Sequence, residues 1–174
     1  MEPAAPLHPL FVHLPLALAM LLPLLLGILW VSIRAKWLPL RAWTLAIAAQ
    51  AALVGGCWLA MQTGEQDAER VERVATRSAM ETTMETHEER AELLFGVGIA
   101  VLLLTGLPLL TGRLPRVGAV AAYASIAASV GVLALAWSVG SSGGKLVYEH
   151  GAAAVWSSAA TAPAALGERE RHDH

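Results

Sequence analysis

Histidine is the residue type in this sequence best suited to chemistry, and four of its six histidines border apolar segments. These four are His8, His13, His87 and His150. Imidazole is the commonest metal ligand in proteins and a frequent axial ligand of haem iron. The four residues are therefore candidate ligands, provided that the fold brings them to the same place.

The spacing of the first two histidines limits what they can bind together. On a regular helix, five residues correspond to about 140° of rotation and about 7.5 Å of rise, so His8 and His13 face different directions. Each is expected to pair with a histidine of another helix, and we predict His13 with His87 or His150. Thioether side chains also lie near the same segment ends, which makes copper chemically possible. They are Met61, Met80 and Met84.

Each histidine also has a purely structural interpretation. His8 precedes Pro9 and suits the cap position of the first helix. His87 lies among glutamates and could form surface ion pairs. His172 and His174 are most simply polar residues of a C-terminal tail. The functional interpretation therefore depends on whether the first four histidines meet.

Four apolar runs must position these residues, and none contains an Asp, Glu, Lys or Arg. The runs cover 8–30, 42–61, 93–110 and 117–139. A helix of about 20 apolar residues crosses the hydrocarbon core of a bilayer. We interpret the first run as a retained membrane helix rather than a signal peptide, because it lacks a basic start and a small-residue cleavage site. The sequence predicts an all-α fold, an integral membrane four-helix up-down bundle with spans at about 9–31, 41–62, 92–111 and 117–139.

Composition excludes several function classes. Hydrophobic residues make up 56% of the chain and charged residues only 15%, which fits contact with a lipid bilayer. A net charge of −2 without a basic stripe argues against nucleic acid as a partner. Cys57 is the one cysteine, so the chain forms no internal disulfide and has no CxxC motif.

Basic residues predict the orientation. The connections at 34–41 and 111–116 contain five Lys or Arg residues and no acid, so the positive-inside rule places them in the cytoplasm. Both termini would then be non-cytoplasmic. An even number of spans would bring all four candidate histidines to the non-cytoplasmic face.

The connections on that face differ in character. Segment 63–92 contains nine acids against four arginines, and we expect helical extensions of the second and third spans with a turn near 78–83. Segment 140–151 is rich in glycine and is predicted to be an ordered loop folded onto the bundle mouth. Residues 1–151 would form one membrane domain, and residues 152–174 a mobile tail.

Several motifs resemble a bacterial four-helix membrane family known as domain of unknown function 2231. They are the segment His8-Pro-Leu-Phe-Val-His-Leu-Pro, the pair Thr63-Gly64, His87 with Ala91, and the segment Gly143-Gly-Lys-Leu-Val-Tyr-Glu-His-Gly. The resemblance covers about residues 5–155 and implies a distant relation to the membrane domains of b-type cytochromes. It implies haem binding, with His8, His13, His87 and His150 as candidate ligands. No histidine lies near the opposite mouth, so at most one haem is expected.

Three hypotheses follow. The first is a bacterial inner-membrane protein with one b-type haem at its outer, periplasmic mouth, serving electron transfer with a redox partner. Tyr148 or Glu149 would then hydrogen-bond to the ligands. The second is a copper or zinc site built from His13, His87 and His150, with Met80, Met84 or Glu85. The third is a structural accessory subunit of a larger membrane complex that binds no cofactor. The sequence decides neither an enzymatic activity nor the oligomeric state.

Overall fold

The computed structural model describes residues 7–72, 78–111 and 114–152, and nearly all of them are helical. The elements are α1 (His8–Phe11), α2 (His13–Arg34), a short 3₁₀ turn (Leu40–Trp43), α3 (Thr44–Glu72), α4 (Ser78–Leu110) and α5 (Pro115–Tyr148). Within these ranges, four helical segments are long and apolar enough to cross a membrane. This confirms the predicted all-α membrane bundle.

The four long helices form a closed bundle in which each packs against two neighbours. Helices α2 and α4 both pack against α3 and α5, so α3 and α5 lie diagonally opposite each other. The short helix α1 packs against α3. Large apolar side chains fill the centre, among them Leu22, Leu26, Leu53 and Val132. The up-down order brings the start of α2, the end of α3, the start of α4 and the end of α5 to the same end of the bundle.

Aromatic residues close the opposite end, where the short connections lie. The Trp43 indole is buried, and its Nε1 donates a hydrogen bond to the carbonyl oxygen of Thr105 on α4 at 2.8 Å. The Trp30 ring packs edge to face against both Trp43 and Tyr123, with centroids 5.7 Å apart in each pair. These contacts join α2, α4 and α5 to the turn that leads into α3.

A side-chain amide joins two helices in the middle of the bundle. The side chain of Gln50 is fully buried, and its Nε2 donates a hydrogen bond to the carbonyl oxygen of Gly98 at 3.2 Å. This bond joins α3 to α4, as expected of a polar residue in a membrane helix interface. The hydroxyls of Ser125 and Ser129 bond instead to carbonyls of their own helix.

The first membrane segment is interrupted near its start. Helix α1 ends at Phe11 and α2 begins at His13, with Val12 between them. Pro15 has no N–H, so it cannot bond to the carbonyl of Phe11 as the fourth residue of a regular turn would. The interruption follows from this missing bond, and it allows α1 to pack against α3. Pro23 lies inside α2.

The long middle segment is helical on both sides, which confirms the predicted extensions of α3 and α4. The expected turn near 78–83 is wrong, because α4 begins at Ser78 and includes those residues. Neither glycine nor proline interrupts this part of the chain, and Met80 is already buried against the bundle. The connection at 73–77 lies outside the described residues.

The predicted loop at 140–151 is also wrong, because α5 continues through this segment as far as Tyr148. Three glycines in five residues suggested a break, but two of them, Gly140 and Gly143, lie where neighbouring helices approach α5. Gly143, for example, lies directly against the His87 ring of α4. Packing of this kind holds a glycine-containing membrane helix together. The chain turns only at Gly151, whose φ is +70°. Residues 153–174 of the predicted tail lie outside the described residues.

Candidate functional site

The four candidate histidines lie at one end of the bundle, which we call the histidine end. His8 belongs to α1, His13 begins α2, His87 lies in the third turn of α4, and His150 follows α5. The even number of crossings accounts for this placement. The structure then divides the four residues into one pair and two separate side chains.

His8 is half-buried and is held by α3. Its Nδ1 lies 2.8 Å from the carbonyl oxygen of Ala60, and its backbone N–H donates a hydrogen bond to Oδ2 of Asp67 at 3.1 Å. Ala60 lies at the end of the apolar run of α3, and Asp67 lies about two turns beyond it. The contact fixes the ring and also satisfies a backbone donor at the start of α1, which no residue of its own helix can do.

His87 is half-buried and is held by α5. Its Nδ1 lies 3.1 Å from the carbonyl oxygen of Val139 and 3.0 Å from Oγ of Ser142. The Ser142 hydroxyl donates its own hydrogen to Val139 at 2.9 Å, so its oxygen can only accept from His87. The ring of His87 is thereby fixed by two acceptors on the neighbouring helix.

These partners assign the same tautomer to both rings. A carbonyl oxygen only accepts hydrogen bonds, so Nδ1 of His8 and Nδ1 of His87 must each carry the hydrogen. In the neutral rings, Nε2 then has a free lone pair. Among the described residues, Nε2 of neither ring has a hydrogen-bond partner. An imidazole anchored through Nδ1–H to a carbonyl, with Nε2 available, is the usual state of a metal-ligating histidine.

The two anchored rings are neighbours. The centroids of the His8 and His87 rings are 6.2 Å apart, and their planes are nearly perpendicular at 86°. Two imidazoles that bind one metal ion from opposite sides, each at about 2 Å, have centroids about 6 Å apart. The separation and the donor chemistry therefore fit a pair of axial ligands on a haem iron, as well as two ligands of a smaller ion.

A glycine lies beside each ring. A Cβ atom at Gly64 would be 3.0 Å from Nδ1 of His8, and a Cβ atom at Gly143 would be 3.1 Å from Cε1 of His87. Any larger residue would have to push the ring away from its backbone acceptor. The two glycines thus let each imidazole lie directly against the neighbouring helix.

His13 and His150 are not part of this pair, and the structure does not bring the His13 ring against His87 or His150. The His13 side chain is exposed, and its Nδ1 contacts the carbonyl oxygen of Pro9 in the preceding turn at 2.6 Å. Nε2 of His150 lies 3.1 Å from Oγ1 of Thr83 on α4. Because the chain is interrupted at Val12, it is His8 rather than His13 that reaches the interior of the histidine end.

Other predicted ligands do not gather around the pair. Among the residues that the structure describes, no group of three or more His, Cys, Asp or Glu side chains is placed to hold one metal ion. Met80 is buried in the bundle, whereas Glu85 is exposed. Tyr148 and Glu149 are exposed at the end of α5, so the hydrogen bonds that we expected from them come instead from Ala60, Val139 and Ser142.

A family model described as "Predicted membrane protein (DUF2231)" matches residues 4–155. The chain belongs to this family. The matched segment includes all four long helices of this DUF2231 protein and all four candidate histidines. Searches of the curated proteins and of the solved structures return no match for the chain.

Sequence reasoning missed several residues of the histidine end of this DUF2231 protein. Ser142 accepts a hydrogen bond from the His87 ring, and Asp67 accepts one from the backbone N–H of His8. Arg90 lies one turn after His87, with Nη1 3.4 Å from the carbonyl oxygen of Ser138. One signal was present in the sequence: Ser142 precedes Gly143, one of the residues of the DUF2231-like motif. Its significance depends on α5 being helical there, whereas the glycine content of 140–151 predicts a loop.

Proposed function

We propose that this multi-pass membrane protein binds one b-type haem between His8 and His87 and uses it for electron transfer. The observation that carries the proposal is the pairing of these two rings, with centroids 6.2 Å apart and each Nδ1 directed at a backbone carbonyl. A bound haem would supply one-electron transfer. The resemblance to membrane cytochrome domains supports the same assignment.

The residues of the chain have separate tasks in this proposal. Ala60 fixes the orientation of His8, while Val139 and Ser142 fix that of His87. Nδ1–H donation to these acceptors raises the basicity of Nε2 and makes it a better ligand for iron. Both rings are half-buried, so the helices around them limit the access of water.

The predicted orientation places this haem at the outer mouth of a bacterial inner membrane. Its redox partner would then dock on the non-cytoplasmic side, where the helical extensions of α3 and α4 project. These carry several exposed carboxylates, including Glu65, Glu81 and Glu85. The orientation rests on the basic residues of the short connections.

The test uses full-length protein produced in membranes with haem available and purified in mild detergent. We expect a visible spectrum of a low-spin haem that sharpens on reduction with dithionite. His8→Ala and His87→Ala should each abolish that low-spin spectrum, because one axial ligand is lost. His13→Ala and His150→Ala are the matched controls and should retain it, since neither ring belongs to the pair.

The same preparations distinguish the other hypotheses. Wild-type protein without a Soret band, made with sufficient haem, would overturn the haem assignment. Stoichiometric copper or zinc in that preparation, lost in His87→Ala, would replace it with a simple metal site. Full assembly of a larger complex and full activity of that complex with both His8→Ala and His87→Ala would favour the structural accessory subunit.

A further inference from the structure

Arg90 lies close to His87 on α4, and its side chain is directed at α5. It follows His87 by three residues on α4, so both side chains lie on the same side of that helix. His87 contacts Val139 and Ser142 of α5, and Nη1 of Arg90 lies 3.4 Å from the carbonyl oxygen of the adjacent Ser138. Arg90 as a residue is half-buried, and its Nη1 contact joins α4 to α5.

The Arg90 guanidinium has few hydrogen-bond partners among the described residues. It has five N–H donors, and the long bond to Ser138 is its one hydrogen bond with them. No carboxylate of a described residue forms an ion pair with it. The nearby acids Glu89 and Glu92 are exposed, although the segment as a whole is acidic. A partly desolvated charge of this kind is stabilised by a counter-ion.

We propose that Arg90 binds a carboxylate group of the cofactor held between His8 and His87. This inference rests on the proposed function, because the carboxylate belongs to the haem of that site. Guanidinium and carboxylate form charge-assisted, often bidentate hydrogen bonds, and a propionate side chain of b-type haem is such a group.

The direction of the side chain favours this ligand over a lipid phosphate. An arginine at the start of an apolar run commonly extends outwards to the headgroup region. Here the guanidinium instead contacts the backbone of α5 at Ser138, next to the residue that anchors His87. An anion bound to it would lie near the His87 ring.

The test compares haemin with haemin dimethyl ester, in which both carboxylates are blocked. Each is titrated into apo-protein in mild detergent and followed by absorbance, for wild type, Arg90→Gln, Arg90→Lys and the control Arg116→Gln. Arg116 is exposed at the short-loop end, far from the histidine pair. Circular dichroism checks that each variant is folded.

We expect Arg90→Gln to weaken haemin binding by roughly tenfold or more, because a charge-assisted hydrogen bond is lost. The affinity of wild type for the ester should be lower than its affinity for haemin by a similar factor. Arg90→Gln should bind the ester with the same affinity as wild type does. Arg90→Lys should retain part of the affinity, and Arg116→Gln all of it. The ester titration with wild type tests the proposal even if Arg90→Gln does not fold.

Four results would overturn the inference. One is an affinity for haemin that is the same in wild type and Arg90→Gln; another is a wild-type affinity that is the same for haemin and its ester. Either result would mean that Arg90 does not bind the carboxylate, and would leave the proposed function intact. Unchanged haemin binding with loss of thermal stabilisation by phosphatidylglycerol in Arg90→Gln would assign the guanidinium to a lipid phosphate. Wild type that binds neither haemin nor its ester would overturn the proposed function and this inference with it.

Discussion

Gly143 lies so close to His87 that a Cβ atom at this position would be 3.1 Å from Cε1 of the imidazole. Gly144, the next residue, has no atom within 4 Å of its corresponding Cβ position. Two adjacent glycines of one helix therefore differ in what a methyl group would contact. The difference supplies a matched pair of substitutions at the histidine end.

We expect Gly143→Ala to weaken haem binding by about tenfold, because overpacking of about 1–2 kcal/mol displaces His87 from its acceptors on α5. Gly144→Ala should leave the affinity unchanged. Haemin titration of both purified variants measures the difference. Equal affinities for the two variants would show that the ring tolerates the added methyl group.

Ser142→Ala tests the anchoring of His87 by α5. The substitution removes one of the two acceptors of its Nδ1–H, and we expect a loss of about 1 kcal/mol in the free energy of unfolding. Ser141→Ala is the control, since that exposed hydroxyl bonds only to Ser138 of its own helix. Unfolding in mixed micelles with increasing SDS gives the two values.

Nitrogen NMR of histidine-labelled apo-protein reads the tautomer directly. We expect neutral His8 and His87 to carry hydrogen on Nδ1, because each Nδ1 faces a carbonyl oxygen. The His87→Ala and His8→Ala variants assign the signals. A neutral ring with hydrogen on Nε2 at either position would contradict the anchoring that we describe.

Gly56 sets the distance between α2 and α3. A Cβ atom there would be 3.1 Å from Cδ of Pro15, whereas one at Gly55 would have no neighbour within 4 Å. Gly56→Leu should therefore cost about 1–3 kcal/mol of stability, and Gly55→Leu much less. The SDS unfolding assay measures both. A larger loss for Gly55→Leu would mean that the outward face of α3 is itself packed.

Lys36 has a backbone conformation that glycine adopts at lower cost. Its φ is +63°, directly after the end of α2, where Trp37 N–H bonds to the carbonyl oxygen of Ser32 at 2.9 Å. We expect Lys36→Gly to be more stable than Lys36→Ala by about 1 kcal/mol, because the left-handed region is strained for residues with a Cβ. Both variants remove the charge, so their difference isolates the backbone.

Much of the architecture could be predicted from the sequence. Runs without charged residues fix the four spans, and their even number brings the histidines to one end, whatever the details of packing. The helical extensions of α3 and α4 followed from the absence of glycine and proline across that segment. The hydropathy of each run and the even number of runs can both be read from the sequence alone.

The choice between His8 and His13 could not be predicted in this way. In an uninterrupted helix, His13 would lie more than one turn further into the first membrane segment than His8. The missing N–H of Pro15 instead interrupts the helix at Val12. Only the packing of α1 against α3 then decides which ring faces inwards. The extent of α5 was missed for a similar reason, because glycines that break an isolated helix can serve a packed one.

The anchoring of the two rings has a mechanical consequence. His8 is attached to α3 and His87 to α5, and these helices occupy opposite corners of the bundle without being neighbours. A ligand bound to both rings would link α3 to α5 across this diagonal and would hold the ends of these helices together. Loss of such a ligand should therefore loosen this rim first, while the tryptophan-closed rim stays rigid.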